Sequence, residues 1–223
     1  MAKYGAMISL PNGNPFVTPD STPMTLYQKV TINSHVFNGY NTATAEVTIN
    51  GFKGGVAFAR TSNVALIGSN RVGNTLSVSA SNYNLGAFTL EAYFFAIYPL
   101  TLPKWGMAIW DSDGTLVLTN ESRVLSDLTT VGTPGSGGGI NIDTTLSGKW
   151  AVAPARLGAI TFQTGTAPGG QPIIETVDVG TACHASGSNT RIRGTSSASI
   201  SGQSIGSMNS GIIVTAINTE NYD

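Results

Sequence analysis

The sequence predicts an all-β protein, and three observations carry that prediction. Charged residues make up 10% of the 223-residue chain, whereas soluble domains average about 25%. Apolar and polar residues alternate in several short windows, as they do in half-buried strands. Turn residues recur about every ten positions, and no window shows convincing helical periodicity. The composition therefore disfavours a coiled coil, a helical bundle and a disordered chain.

The strands of the first half can be followed in order. Apolar side chains alternate over residues 4–10, and Asn12-Gly13 then predicts a type I′ hairpin turn, because both central residues of that turn need a positive φ. Alternation at residues 46–50 and 76–79 predicts two half-buried strands. Residues 88–98 carry the most aromatic mass, so we expect them to form a central strand.

An internal repeat predicts the domain organisation. Three patches match in the same order in both halves: residues 3–8 with 104–109, 53–60 with 149–156, and 96–97 with 216–217. Two prolines within residues 99–103 stop ladder pairing and stiffen the connection. We therefore predict two tandem β-sandwich domains of the jelly-roll or immunoglobulin-like type, residues 1–100 and 101–223, related by internal duplication. The alternative is one large sandwich whose two halves resemble each other in sequence by coincidence.

The second half differs in its small residues. Residues 133–139, 168–170 and 194–211 are rich in Gly and Ser. Such stretches form either long flexible loops or strands with small side chains packed closely against a partner. Because small-residue strands bury little apolar area, they favour a homo-oligomer in which a neighbouring subunit supplies the missing burial.

Charge and targeting signals narrow the partners. The net charge is −1, from 11 basic and 12 acidic residues, without a basic run. Nucleic-acid binding is therefore not expected. No signal-peptide pattern opens the chain, and the longest apolar run, residues 92–97, is too short to span a bilayer. We expect synthesis in a reducing cytoplasm and no membrane insertion.

The sequence does not predict an enzyme. The only cysteine is followed by a histidine, and adjacent strand residues point to opposite faces, so we interpret Cys183-His184 as a buried thiol beside an exposed imidazole. Residues 111–114 resemble the start of a calcium loop but lack its later ligands, and we interpret them as a hairpin turn at Asp113-Gly114. No pair of carboxylates has the spacing of a glycosidase. We predict no catalytic residue, no cofactor and no metal.

Three aromatic residues are candidates for ligand or receptor contact. Trp110, Tyr83 and Trp150 would be exposed if the chain were a carbohydrate-binding module. The strand-like surroundings of Trp150 favour packing in the core instead. Trp110 and Tyr83 are therefore the two predicted contact residues.

The chain resembles structural proteins of tailed-bacteriophage virions. The features are the start Met1-Ala2-Lys3-Tyr4-Gly5, and an aromatic-Gly opening with a closing apolar strand in each half: Tyr4-Gly5 with residues 92–98, and Trp105-Gly106 with residues 212–217. The closing strand of the second half has no aromatics, and its loops are longer. The resemblance implies an oligomeric module of the tail tip, fibre or collar, often a trimer, that is located in the virion. It implies contact with other virion proteins, and a host glycan or receptor is a further candidate partner. A capsid decoration protein is the alternative within this class, and a carbohydrate-binding module the alternative outside it.

Overall fold

The all-β prediction is confirmed by the computed structural model. The structure describes residues 8–9, 15–17, 22–83, 86–196, 198 and 201–223, and it is 60% strand and 2% helix. Most of the predicted opening strand and its Asn12-Gly13 turn lie outside the described residues. The short strands on either side of that turn pair antiparallel.

The described chain forms nineteen strands. Those of the first half are β1 Ile8–Ser9, β2 Pro15–Val17, β3 Thr25–Asn33, β4 His35–Phe37, β5 Tyr40–Thr48, β6 Gly54–Thr61, β7 Leu66–Val72, β8 Thr75–Tyr83 and β9 Thr89–Ile97. Those of the second half are β10 Ala108–Trp110, β11 Leu116–Thr119, β12 Leu128–Val131, β13 Asp143–Ser147, β14 Trp150–Val152, β15 Arg156–Thr166, β16 Pro172–Ser186, β17 Asn189–Thr195, β18 Gln203–Asn209 and β19 Val214–Asn218, with a 3-10 turn at Gly139–Asn141.

Two layers of strands run through both halves. The first sheet has the order β3–β9–β6–β14–β19–β12, and the second has the order β4–β5–β8–β7–β16–β17–β13. The aromatic strand β9 lies between β3 and β6, so its predicted central position is confirmed. The halves meet where Val152 pairs with Ala59 in the first sheet and Thr181 pairs with Ile67 in the second. One parallel pair, His184 with Thr61, also joins the two sheets there.

The two halves share one pairing pattern. In the first half, β3 pairs with β9 and β5 pairs with β8, while β6 and β7 flank those two pairs. The second half repeats this arrangement. There, β12 pairs with β19 and β13 pairs with β17, while β14 adjoins β19 and β16 adjoins β17. In each half the first strand thus pairs with the last and the second with the second-to-last. This nested pairing is that of a jelly roll.

Equivalent strands of the two halves also meet at the seam between them. Strand β6 pairs antiparallel with β14, and β7 pairs antiparallel with β16. Antiparallel pairing of equivalent strands is what a two-fold axis through the seam produces. The pattern is the one that duplication would generate, but the duplication and the boundary at residue 100 stay predictions, because the sheets are continuous across both halves.

One apolar core fills the space between the sheets. Ala45, Val78 and Phe94 come from the first half and Val152 and Ile192 from the second, and none of them exposes more than a trace of surface. The alternation at residues 46–50 and 76–79 places every second side chain in this core. The two predicted half-buried strands are therefore confirmed.

The first sheet is buried on its outer face as well. Phe58 and Phe95 pack there, and the ring of Tyr222 stands edge-on to Phe95 at 4.9 Å between centroids. The Tyr222 hydroxyl donates to the Val124 carbonyl (3.0 Å) and accepts from the Ser126 amide (2.8 Å). Because β9 is covered on both faces, its residues 92–97 form a continuous apolar run, without the alternation of a half-buried strand.

The turn between β10 and β11 differs in its type from the prediction. The dipeptide Asp113-Gly114 predicts a type I′ turn. Residues 111–114 do form a hairpin turn, but Gly114 has a positive φ (79°) and Asp113 does not, so the turn is not of type I′. The Asp111 carboxylate explains the difference, because it accepts from the Asp113 amide (3.0 Å) and the Thr115 amide (2.8 Å) and so stabilises another turn. The sequence analysis missed Asn38-Gly39, where both φ angles are positive (49° and 80°).

The glycine-rich loop before the 3-10 turn packs closely against residues of the same chain. The Gly139 amide donates to the Ile212 carbonyl (2.8 Å), and the Gly135 amide donates to Gly211 (2.9 Å). A Cβ on Gly138 would lie 2.6 Å from the Ile212 carbonyl oxygen. Glycine is needed here because the two backbones approach each other too closely for a side chain.

Candidate functional site

Large apolar side chains are exposed at several places, and three groups of them are candidates for contact surfaces. We name them the hairpin patch on β10, the edge patch on β4 and β8, and the arm formed by β15, β16 and β18. Their exposed members are Trp105, Met107 and Trp110; Val36, Phe37 and Tyr83; and Ile173, Ile174, Ile205 and Met208. Concentrations of apolar surface of this kind mark contact sites in soluble proteins more often than single exposed residues do.

The hairpin patch holds one of the two predicted contact residues. Trp110 is 51% exposed at the end of β10, and Trp105, just before that strand, is 79% exposed. Gly106 separates Trp105 from the strand with φ of 121°, and a Cβ there would overlap the Asn120 side chain. The hairpin turn at residues 111–114 therefore carries an indole at its base in contact with water.

The edge patch holds the other predicted residue. Tyr83 is 42% exposed at the end of β8 and stands edge-on to Tyr40 across the ladder, with 5.5 Å between ring centroids. The Asn38-Gly39 turn places Val36 and Phe37 on the short strand β4, which pairs with β5 on the side away from β8. Trp110 and Tyr83 thus both reach solvent but belong to different patches, and their role in contact stays a prediction. Trp150 is half-buried, and its indole N–H donates to the Ser147 carbonyl at 2.7 Å.

The arm is a three-stranded sheet that extends beyond the two-layered core. Strand β15 lies between β16 and β18. All seven residues of β18 are exposed, as are the first five of β16. Since adjacent strand residues point to opposite faces, Ile173 and Ile174 present apolar side chains on both sides of the arm. The exposure of these residues was not predicted from the sequence, although two adjacent isoleucines indicate a strand without a polar face.

The two edges of the arm differ in chemistry. The β16 edge carries Pro172, Glu175 and Asp178, residue types that discourage pairing with another strand. The β18 edge consists of Gln203–Asn209 and has neither charge nor proline. Only the β16 edge therefore carries the charges and the proline that usually protect against added strands, whereas the irregularity of β18 is a β-bulge at Ile205.

A cleft of about 360 Å³ with a mixed polar and apolar lining lies at the seam, where β7 and β8 meet the base of the arm. It is lined by Ser69, Ser79 and Ser81, and by the ion pair between Arg156 and Asp178, whose N–O distance is 2.5 Å. Both charged side chains are mostly exposed. The lining contains no aromatic platform on which a sugar ring could stack, so the cleft is a weaker candidate for glycan binding than the hairpin patch.

The Cys183-His184 pair is not arranged as a thiol site. Burial raises the pKa of Cys183 to about 12, and its Sγ donates to the Trp150 carbonyl at 3.3 Å. The buried thiol was predicted correctly. The exposed imidazole was wrong, because His184 is only 8% exposed. Desolvation, followed by the charges of Arg193 and Arg191, lowers the pKa of His184.

A carboxylate links the two halves on the outer side of the first sheet. Asp223 accepts hydrogen bonds from Lys29 (2.6 Å) and Tyr93 (2.6 Å) of the first half and from Lys149 (3.1 Å) of the second. Burial alone would raise the pKa of Asp223, but these three donors outweigh it and lower the pKa to about 2. Burial, together with the hydrogen bond to this carboxylate, raises the pKa of Tyr93.

Among the residues that the structure describes, no group of three or more His, Cys, Asp or Glu side chains is placed to hold a metal ion. In the same residues, no helix has the length and apolar character needed to cross a membrane.

Comparisons with known protein families, with curated proteins and with solved structures found no match to this chain. The three exposed surfaces are therefore the features of the chain that bear on its function.

Proposed function

We propose that this chain is a non-enzymatic structural protein of a tailed-bacteriophage virion, an oligomeric module associated with the tail. The arm is the observation that carries the proposal. Its outer strands, β18 and residues 172–176 of β16, are exposed to water on both faces, so they lack the buried apolar face that normally stabilises a small sheet. Contact with another protein of the particle would supply that burial.

The distribution of the exposed surfaces also supports an assembly role. The hairpin patch, the edge patch and the arm lie on different strands, β10, β4 with β8, and β15 with β16 and β18. A component of a particle needs several separate contact surfaces, for its own copies and for its neighbours. One of them remains available for the host surface when the others are covered.

The test is the location of the protein in purified particles. Phage particles produced by the strain that carries this sequence are purified on a density gradient, washed in high salt and analysed by quantitative mass spectrometry. We expect the chain to co-purify with the particles in a fixed ratio to the tail proteins. Tailless heads from the same lysate are the control, since retention on heads would assign the chain to capsid decoration. Recovery only from the soluble fraction would refute the proposal.

Carbohydrate binding is the second candidate, and the exposed indoles of Trp105 and Trp110 favour it. Aromatic rings stack on sugars, so Trp110→Ala should weaken binding to the host polysaccharide at least tenfold, a loss of about 1.4 kcal/mol. Val72→Ala removes an exposed apolar side chain outside the patch (70% exposed) and serves as the control. Calorimetry that detects no binding by the native chain, or equal binding by both variants, would exclude this function for the hairpin patch.

A further inference from the structure

The free edge of β18 is the surface for which the structure supports a specific partner. The strand pairs with β15 on one side, and no other described strand pairs with it. Its seven residues span roughly 24 Å, at about 3.4 Å per residue. A β-bulge at Ile205 interrupts the regular pairing with β15, and on either side of it alternate backbone N–H and C=O groups point away from the protein.

We propose that β18 pairs antiparallel with β18 of a second copy of this chain, about a two-fold axis. The proposal rests on the oligomeric structural function proposed above and specifies how two copies meet. It makes β15 and β18 of each copy part of one sheet that continues through the contact. Pairing of this kind satisfies the free backbone groups of both strands at once.

The chemistry of the edge favours self-pairing. A two-fold contact places each strand opposite its own sequence, so any charge would face a like charge across the ladder. Gln203–Asn209 contains no charge. The β16 edge of the same arm would bring Glu175 and Asp178 close to their own copies, and Pro172 could donate no hydrogen bond there. The arm thus has one edge suited to a second copy and one edge unsuited to it.

The composition of β18 suits a contact centred on Gly206. That register would place Ile205 opposite Ser207 and Ser204 opposite Met208. A Cβ added to Gly206 would meet no atom within 4 Å, so the backbone is open to approach at this point. Ile205 and Met208, 47% and 63% exposed, would be covered by the partner strand.

Hydrogen bonds fix the C-terminal end of β18. The Asn209 side chain accepts from the Ile140 amide (3.0 Å) and donates to the Gly138 carbonyl (3.2 Å). The Ser210 amide donates to the Leu157 carbonyl at 3.0 Å. A preorganised edge loses less conformational entropy when a second strand is added.

The protein already uses the same type of contact within one chain. At the seam, the equivalent strands β6 and β14 pair antiparallel in one sheet, and β7 and β16 do so in the other. A β18 contact between copies would extend the second sheet through β16 and β15 in the same manner. The arm would then be an internal part of a larger sheet.

The first experiment measures the solution mass by light scattering after gel filtration, over a range of protein concentrations. The chain has a mass of 23.1 kDa, and we expect a dimer or an even-numbered multiple. The double variant Ile205→Lys/Met208→Lys places positive charges opposite themselves and should halve the mass. Val72→Lys adds the same charge to an exposed residue outside the arm and should keep the native mass. Circular dichroism and the Tm establish that each variant is folded.

The second experiment tests the register by cross-linking. Gly206→Cys places a thiol at the two-fold axis, where the equivalent residues of the two copies lie opposite each other, and should give a disulfide-linked dimer under mild oxidation. Val72→Cys is the control and should stay uncross-linked, and the native Cys183 is buried.

Each contrary result has a separate meaning. An oligomer whose mass is unchanged in the double lysine variant, or a native trimer, would overturn β18 pairing and leave the structural function standing. A native monomer at every concentration would also overturn the pairing. The structural function itself fails only if the chain is absent from washed particles.

Discussion

The carboxylate of Asp223 offers a quantitative test of how the two halves are held together. It accepts hydrogen bonds from Lys29 and Tyr93 on one side of the seam and from Lys149 on the other. Asp223→Asn keeps the shape and the hydrogen bond from Tyr93 but removes the charge. Lys149 is 59% exposed and can be rehydrated, whereas Lys29 keeps a weaker contact with Glu91 at 3.6 Å. We expect a moderate loss of stability rather than unfolding.

The size of the loss follows from the pKa. The three donors lower the pKa of Asp223 from 3.8 to about 2. Each pH unit corresponds to about 1.36 kcal/mol, so the full effect is about 2 kcal/mol. The Asp223 side chain is 22% exposed, and screening by water reduces the expected cost of Asp223→Asn to about 1 to 2 kcal/mol at pH 7.

The direction in which stability changes with pH follows from the direction of the pKa shift of Asp223. Because the folded pKa lies below the unfolded value, the stabilisation is fully present above about pH 4, and it is lost as the pH falls through 4 toward 2. The native chain and Asp223→Asn should therefore differ in free energy of unfolding at pH 7 and converge near pH 2. Urea unfolding at several pH values, followed by tryptophan fluorescence, measures the difference.

The neighbouring carboxylate of Glu220 provides the control. Glu220 is exposed, and Glu220→Gln should change the free energy of unfolding by less than about 0.5 kcal/mol at any pH. A difference between the native chain and Asp223→Asn that is absent at pH 7, or that persists unchanged at pH 2, would refute the reasoning.

Three further predictions concern the interior. Raising the pKa of Cys183 from 9.0 to about 12 lowers its thiolate population at pH 8 about a thousandfold, so Ellman's reagent should label it only after denaturation; rapid labelling of the folded chain would contradict this. Gly139→Ala should cost about 1 to 3 kcal/mol in a thermal melt, because φ is 57° and the new Cβ would overlap Asn209, whereas Gly54→Ala has open space and an ordinary φ; equal melts of these two variants would contradict it. Phe94→Ala should cost about 3 to 5 kcal/mol in urea unfolding, because the ring is completely buried; a loss below 1 kcal/mol would show that it is not a core residue.

Local patterns predicted much of the secondary structure correctly. The alternation at residues 46–50 and 76–79 and the aromatic run at 88–98 each became a strand in the expected place. Alternation is a property of neighbouring residues, so it needs no knowledge of the partner strand. The hairpin turn at residues 111–114 was found for the same reason, although its type depended on the Asp111 carboxylate.

The exposed surfaces were predicted less completely. Trp110 and Tyr83 reach solvent, but of the arm only β18 lies within a stretch predicted to be rich in Gly and Ser, residues 194–211. Whether a strand lies in a core or projects from it depends on which elements cover its faces, and those elements are distant in sequence. His184 shows the same limit, because its burial comes from packing around β16 rather than from its neighbours in the chain.

The sequence by itself determined the all-β class, the central place of the aromatic strand and the matching patches of the two halves. The tertiary structure alone decided that both sheets run through the seam, that the six main strands of each half share nested pairing, and that β18 keeps a free, uncharged edge. The physical reason is that alternation specifies which face of a strand is buried, whereas partner choice depends on backbone hydrogen bonds that every strand can form.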